Sequence, residues 1–339
     1  MDKIMVTGGA GYIGALTAVE LLRRGFEVLV VDNFANSSVA VLGRIAELAG
    51  RRPLLAEADC ADAAQMRAVF EAHPDVVGAV HFAALKSVAQ SVAQPLAYYR
   101  CNVQSTMVLL DELARRGLPL LYSSSCLVYG TPERLPVSER TPLSEPASPY
   151  AHTKSVAEGM IANAVAAHPD QRAVVLRYFN PIGAHPSGLL GERPSGRPEN
   201  LLPLLLEVAL GQRAEIEVFG TDYPTRDGTC IRDYFHVMDL ARAHVMALER
   251  LLQRRAERSY EVFNLGSGSG VSVLEMLDAF ERATGQRIAR RMAPRRPGDI
   301  PAIWADATLA REVLGWSPQL PLHEALRSAW LWAQRAHEL

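Results

Sequence analysis

Tyr150 and Lys154 stand four residues apart, a spacing that puts a phenol and an ammonium on one face of a helix. A phenol is too weak an acid to serve as a base near neutral pH. A neighbouring cation stabilises the phenolate and brings its pKa toward the working range, so the pair reads as a proton-transfer device. The Y-x-x-x-K spacing is common by chance and needs support. Ser123-Ser124-Ser125 supplies it, because the run closes an apolar stretch that reads as a strand. Ligands of open α/β sheets sit at such carboxyl ends.

A second chemical element lies near the start of the chain. Gly8, Gly11 and Gly14 are spaced G-x-x-G-x-x-G between an apolar strand and a helix, with Tyr12 and Ile13 between the last two. Such a loop turns tightly, lets backbone approach a pyrophosphate and presents the free amides of a helix N-terminus. Asp32-Asn33 follows 18 residues after Gly14, at the end of the second strand. A carboxylate there accepts hydrogen bonds from an adenosine ribose and repels a 2′-phosphate. No Arg follows at once, so NAD is favoured over NADP. Asp59, after the third strand, is placed to contact adenine. An oxidised nicotinamide would add positive charge beside Tyr150. Lys86 follows His81-Phe82-Ala83-Ala84 near the end of the fourth strand. Asn102 reads either as an exposed helix position or as a group that holds the active-site backbone.

The elements that must position these residues alternate strand and helix, the βαβ signature. Strands are expected at Ile4–Thr7, Glu27–Val31, Pro53–Glu57, Val76–His81, Leu118–Ser123 and Ala173–Tyr178. Helices are expected at Ile13–Arg24, Val39–Leu48, Asp62–Glu71 and Leu96–Arg116, and from Ser148-Pro149 to about Ala167. Ser148 can cap that last helix and Pro149 suits its first position. After Phe179-Asn180-Pro181 the stretch 183–199 is rich in Gly, Pro and Ser and reads as a long binding loop. Helices are expected at Leu201–Leu210, His236–Leu252, Ser272–Ala283, Ala307–Leu314 and Leu322–His337, with strands at Ile216–Phe219 and Tyr260–Leu265. The fold class is α/β. A Rossmann-type doubly wound parallel sheet covers 1–180, with segments near 232–260 returning to it, and a smaller mixed α/β substrate domain covers 181–339.

Bulk properties exclude other classes. The 339 residues carry a net charge of −2, which leaves no electrostatic footprint for nucleic acid. No apolar run is long enough for a membrane helix, and MDKIMVTGG enters a strand at once, so no signal peptide is expected. Cys60, Cys101, Cys126 and Cys230 are widely spaced and suit a reduced cytoplasm. No metal-ligand cluster is visible. Of 35 basic residues only Lys3, Lys86 and Lys154 are lysines, and two of them fall at the inferred cofactor site.

The sequence resembles the extended short-chain dehydrogenases/reductases, specifically the UDP-galactose (UDP-glucose) 4-epimerases. The resemblance covers practically the whole chain: VTGGAGYIG (6–14), DN (32–33), HFAALKSV (81–88), SSSCLVYG (123–130), SPYAHTK (148–154), LRYFNPIGAHPSG (176–188), GTDYPTRDGTCIRDYFHVMDLA (220–241) and APRRPGDIPAIWAD (293–306). It implies that Ser125, Tyr150 and Lys154 form the catalytic set, with Ser123 and Ser124 lining the nicotinamide side. Further NAD contacts are implied at Gly8, Gly11, Tyr12, Ile13, Gly14, Asp32, Asn33, Asn36, Ser37, Asp59, Cys60, Phe82, Ala83, Ala84, Lys86, Asn102 and Tyr178. The UDP-sugar would be held by Asn180, Asn200, Leu201, Val218, Phe219, Arg232, Arg296 and Asp299, with Lys86, Ser125 and Tyr150 also reaching it. Arg232 and Arg296 suit a diphosphate.

The implied reaction moves hydride from sugar C4 to a tightly bound NAD and back to the opposite face of a 4-keto sugar. The cofactor is thus regenerated at each turnover. A homodimer in the cytoplasm is implied as well. Two departures stand out. Ile303 replaces the Tyr common in bacterial members or the Cys of the human-like form, beside the sugar's C2 substituent. Ala84 replaces a common Gly. Related dehydratases and decarboxylases put an acid after the serine run, where this chain has Cys126-Leu127. The other readings weighed are a 4-epimerase of UDP-N-acetylhexosamines or UDP-pentoses, and a non-enzymatic NAD-binding regulator.

Overall fold

The computed structural model describes residues 1–194, 196, 198–296 and 298–336. Its strands are β1 (Lys3–Thr7), β2 (Glu27–Asp32), β3 (Leu54–Glu57), β4 (Val76–His81), β5 (Leu120–Ser125), β6 (Ala173–Tyr178), β7 (Asn180–Ile182), β8 (Ile216–Phe219), β9 (Ile231–His236), β10 (Tyr260–Leu265), β11 (Gly270–Ser272), β12 (Arg290–Ala293) and β13 (Ala302–Ile303). Its helices are α1 (Tyr12–Arg24), α2 (Ala40–Ala49), α3 (Ala63–Ala72), α4 (Val88–Ala93), α5 (Pro95–Tyr98), α6 (Gln104–Ala114), α7 (Pro149–Ala167), α8 (Leu201–Ala209), α9 (Val237–Leu252), α10 (Val273–Thr284) and α11 (Leu322–Arg335). The expected end of the last helix at His337 lies outside the described residues.

The chain forms two compact units. The first comprises Met1–Val128, Leu143–Tyr178 and Ala241–Phe263. Its seven-stranded sheet has the order β10-β6-β5-β4-β1-β2-β3, the doubly wound pattern expected from the sequence. The pairings β1–β2, β1–β4, β2–β3, β4–β5 and β5–β6 are all parallel. The central strands are buried on both faces, which is why they read as unbroken apolar runs. One face packs Met66, Val69 and Phe70 of α3, Leu109 and Leu113 of α6, and Ile161 and Val165 of α7 against Leu120, Tyr122 and Val175.

Helix ends follow local chemistry. Gly25, at φ 102°, closes α1 in the left-handed region. The side chain of Asp62 caps α3 by accepting from the amides of Ala64 and Gln65. Ser148 caps α7, and Pro149 occupies its first turn.

The expected helix Leu96–Arg116 is not continuous. A π-helical turn, Tyr99–Val103, interrupts it between α5 and α6, and α4 was not anticipated. The wide turn carries Asn102 inward, where its side chain bonds to backbone, so the apolar periodicity is locally lost.

The second unit comprises Tyr129–Pro142, Phe179–Leu240 and Asn264 onward. There β9 pairs with β11 antiparallel and with β13 and β7 in parallel, while β12 pairs with β8. Helices α8, α10 and α11 bury Leu205, Phe280 and Leu326 in its core. The expected division at residue 180 with a return near 232–260 is therefore corrected. The returning segment is Ala241–Phe263, whose end supplies the edge strand β10, and Ala173 N donates to Ser259 O at 2.8 Å. Residues 129–142 leave the first unit. Val137 N donates to Trp304 O, and Val137 O accepts from Asp306 N and from the Asn264 amide.

Candidate active site

The dinucleotide loop is shaped by close backbone approach. Gly8 has φ +67°, and a Cβ there would lie 2.7 Å from Ala83 N. A Cβ on Gly14 would collide with Gly8 O, whereas one on Gly11 would meet only Gly8 O at 3.2 Å. Gly11 is the N-cap of α1. Among the described residues no side chain caps this end, and its first turn holds no acid. An uncapped helix N-terminus without Cβ atoms in its mouth fits a pyrophosphate.

Asp32 is 7% exposed and pinned to this loop. Its Oδ2 accepts from Ala10 N at 3.0 Å, and its Oδ1 accepts from Phe34 N at 3.0 Å and Ser37 Oγ at 2.8 Å. The carboxylate is thus pre-oriented at the end of β2, as a ribose acceptor requires. Ser37 spends its hydroxyl on that carboxylate. Asn33 accepts from Ala35 N and, with Asn36, shapes the same turn. Asp59 is exposed at the end of β3, while Cys60 beside it is buried and its thiol is pushed up to about 12, chiefly by burial. Lys86 lies with its Nζ 5.9 Å from the Tyr12 ring centroid. The donors and spaces present in this unit fit NAD.

Asn102 is not an exposed helix position. It is 2% exposed; its amide nitrogen donates to Leu85 O at 2.9 Å and to Thr153 Oγ1 at 3.0 Å, and its Oδ1 accepts from Leu85 N at 2.8 Å. It ties the 82–86 segment to α7, the helix of Tyr150 and Lys154.

Tyr150 and Lys154 are both buried in the first turns of α7. The Tyr150 ring meets Tyr98 edge-on, at 6.5 Å between centroids. Burial pushes its phenol well above the usual value, and the neighbouring Tyr178 and Tyr122 push the same way. Ser125 acts in the opposite direction. In the protein alone burial dominates this phenol, whereas the expected lowering counted an oxidised nicotinamide together with Lys154. Lys154 Nζ donates to Ser123 O at 2.8 Å and lies 4.9 Å over the Tyr122 ring. Its own pKa falls to about 8 by burial, opposed by Glu158 and then Cys101.

The three serines divide. Along a strand alternate side chains face opposite sides. Ser123 Oγ hydrogen-bonds with His244 Nε2 of α9 at 3.1 Å. Ser124 Oγ faces α7 and donates to Glu158 Oε1 at 2.5 Å. Ser124 was expected beside Ser123 on the nicotinamide side; its hydroxyl is instead committed to the helix on the other face. The Phe82 ring lies tilted by 44° against His244 at 4.7 Å between centroids, and Tyr178 lies 6.3 Å from the same ring. Sequence reasoning missed His244 and the Glu158–Arg177 pair. Glu158 had a signal, since it continues the four-residue spacing of Tyr150 and Lys154; His244 had none.

Of the residues expected at the sugar nucleotide, Lys86, Ser125 and Tyr150 belong to the first unit and the others to the second. Phe219 and Val218 lie on β8, Arg232 on β9 and Ile303 on β13, in register with Arg232. Arg296 pairs with Asp299 through Nη2 at 2.8 Å and Nε at 3.2 Å, with its guanidinium 5.5 Å over the Phe219 ring. Arg232 Nη1 donates to Ile231 O and Ile300 O. Asn200 and Leu201 open α8. Asn180, on β7, has a buried Oδ1 without a partner, an acceptor waiting for a donor.

The model of the NAD dependent epimerase/dehydratase family matches residues 4–266. The chain belongs to this family. It is 45% identical over 331 residues to the UDP-glucose 4-epimerase of Erwinia amylovora, covering 97% of each. It is also similar to the solved UDP-glucose-4-epimerase of Stenotrophomonas maltophila with bound NAD and formylated UDP-arabinopyranose. That match has a TM-score of 0.95 at 43% identity, with 100% of this chain and 99% of that one covered. A third likeness is to the UDP-glucose 4-epimerase of Bifidobacterium longum in complex with NAD+ and UDP: TM-score 0.93, 42% identity and 98% of each chain. NAD is the cofactor of this epimerase/dehydratase family member, as the loop geometry suggests. Among the described residues no group of His, Cys, Asp and Glu could hold a metal ion. None of the described helices is long and apolar enough to cross a membrane.

Proposed function

We propose that this chain interconverts UDP-glucose and UDP-galactose by inverting the sugar at C4 through a 4-keto intermediate. The observation that carries the reading is the burial of Tyr150 in the first turn of α7, with Lys154 one helical turn on and fastened to Ser123 O at 2.8 Å near the carboxyl end of β5. Bound NAD supplies the hydride acceptor, the later hydride donor and a positively charged ring. Tyr150 takes the proton from the sugar 4-OH, and Ser125 relays or orients it. On the return, the same phenol gives the proton back, so one group serves as base and then acid. Asn102 holds the 85 backbone and α7 in one arrangement while this happens.

Dehydration would need a carboxylate after the serines, and Cys126-Leu127 offers none. Arg232, Arg296, Asp299, Phe219 and Asn180 hold the nucleotide diphosphate side, with Asn200, Leu201 and Val218 completing its surroundings. The smaller, apolar Ile303 faces the sugar, which must turn between the two transfers.

Purified protein given UDP-galactose without added NAD should form UDP-glucose. Stoichiometric reduction of added NAD would point to a dehydrogenase and sink the proposal. A substrate panel of UDP-galactose, UDP-GalNAc and UDP-arabinose, run before and after Ile303→Tyr, tests the gate. Loss of any N-acetylhexosamine turnover with retained UDP-galactose turnover is the expected result.

The protein acts in the cytoplasm as a homodimer. Four free cysteines support the first statement. The run Val88–Met107 supports the second, with Val88, Val92, Leu96 and Met107 between 43% and 64% exposed. A monomeric mass by light scattering at micromolar concentration would refute the dimer.

A further inference from the structure

Glu158 lies one turn beyond Lys154 and two beyond Tyr150 on α7, yet it has no place in the proton transfer described above. It is 3% exposed. Arg177 of β6, itself 6% exposed, donates to it from Nε at 3.0 and 3.1 Å and from Nη2 at 2.5 Å. Ser124 of β5 donates to its Oε1. One carboxylate thus receives donors from two adjacent strands and fastens α7 to both. A buried ion pair of this kind does little for stability compared with apolar packing, so its retention calls for another reason.

The groups facing Lys154 supply one. From its own helix come Tyr150 and Glu158, from β5 Tyr122, from β4 His81 and from the π turn Cys101. In the protein alone, burial pushes both phenols and the Cys101 thiol up and His81 down to about 3, so it disfavours charge on all four. Glu158 is the group among them that carries negative charge.

We propose that Glu158 is a positioning residue of the reaction: it provides the counter-charge for the Lys154 ammonium and, through Arg177 and Ser124, locks α7 against β5 and β6. In this role it touches neither substrate nor cofactor. Arg177 orients the carboxylate and Ser124 fixes its distance from the strand end that carries Ser125. The proposal rests on the reading of Lys154 as part of the catalytic set. Its principal test is made without substrate, so the two can fail separately.

With Lys3, Lys86 and Lys154 as the only lysines, protein labelled at lysine Cε gives three side-chain NMR signals. The Lys154 signal of the NAD-loaded protein is assigned by its loss in Lys154→Met. In Glu158→Gln its titration midpoint should fall by about one pH unit, and kcat at pH 7.5 should fall about threefold as the charged fraction drops. The alkaline limb of the kcat profile should move the same way. Glu158→Asp should keep the wild-type midpoint. Because Glu158→Gln strands a buried guanidinium, the pair Glu158→Met with Arg177→Met is measured alongside, with a smaller shift in the same direction expected, since a cation is removed with the anion. An unmoved midpoint in any folded variant that lacks the carboxylate would overturn the proposal. So would a loss of thermal stability with the pH profile unchanged.

Discussion

Lys154 is 4% exposed and donates to a backbone carbonyl, whereas the Arg296 side chain is 52% exposed and paired with a carboxylate. Both cations are read as serving the reaction, but the physics around them differs. Near Lys154, burial shifts Tyr150, Tyr122, Cys101 and His81, and water has little access to screen the charges. Near Arg296, solvent and salt screen the pair, and on the proposed reading a diphosphate would take the place of Asp299. The first region therefore suits chemistry that must be identical at each turnover. The second suits binding that must be undone.

The largest effect that would sharpen this contrast comes from the buried side. Tyr150→Phe should lower turnover by roughly 10²–10⁴-fold while circular dichroism and melting stay close to wild type; turnover within a factor of two would break the assignment. Arg296→Ala comes next. It should raise KM for UDP-galactose by about ten- to a hundredfold and leave kcat within about threefold, as expected for loss of a charged hydrogen bond to the ground state. A fall in kcat without a change in KM would place Arg296 on the wrong side of the comparison.

Asp32→Ala should increase the release of NAD on dialysis, seen by cofactor extraction, and unchanged content would remove its ribose role. The smallest effect is on stability. His81 is buried, hydrogen-bonds with Thr7 at 2.6 Å, and its pKa is lowered to about 3 by burial and then by Lys154. The unfolded chain binds a proton there near pH 6.5 while the folded one does not. Stability should therefore be full above that pH and fall as pH drops through it, by up to roughly 1.4 kcal/mol per pH unit. The loss should continue until the folded form itself takes up the proton. Chemical denaturation between pH 7 and 5, set against His81→Gln, checks this; parallel slopes would exclude His81 as the source.

What could be read from residue types was what depends on local physics. The apolar runs of β1, β2 and β4, the Ser148 cap, the Pro149 start of α7 and the glycine loop each declare themselves within a few positions. The strand β9 did not, because Arg232 and Asp233 interrupt its apolar pattern. Asp233 is wholly buried only because Ser267, Gly268 and Ala305 donate to it from distant segments. Two-residue β13 and three-residue β7 are too short to show a period. Tyr150 and Lys154 were singled out by their spacing and the serine run by its strand end, whereas Ser125 within that run was picked out by the family resemblance. His244 was not, since its meeting with Ser123 depends on the return of α9 from 121 residues further along the chain. Likewise the division of the serines between two faces follows from where β5 ends, and the strand was expected to stop at Ser123 rather than Ser125.

The π turn at Tyr99–Val103 has the character of an inserted residue absorbed without a loop. Deleting one residue there would restore ordinary helical pitch and remove the wide turn that carries Asn102 inward. Asn102 would then swing away from Leu85 and Thr153, and the backbone beside the glycine loop would lose its fastening to α7. A change of one residue in length would thus do more damage there than most changes of side chain, which makes this turn a natural place for indel scanning to find intolerance.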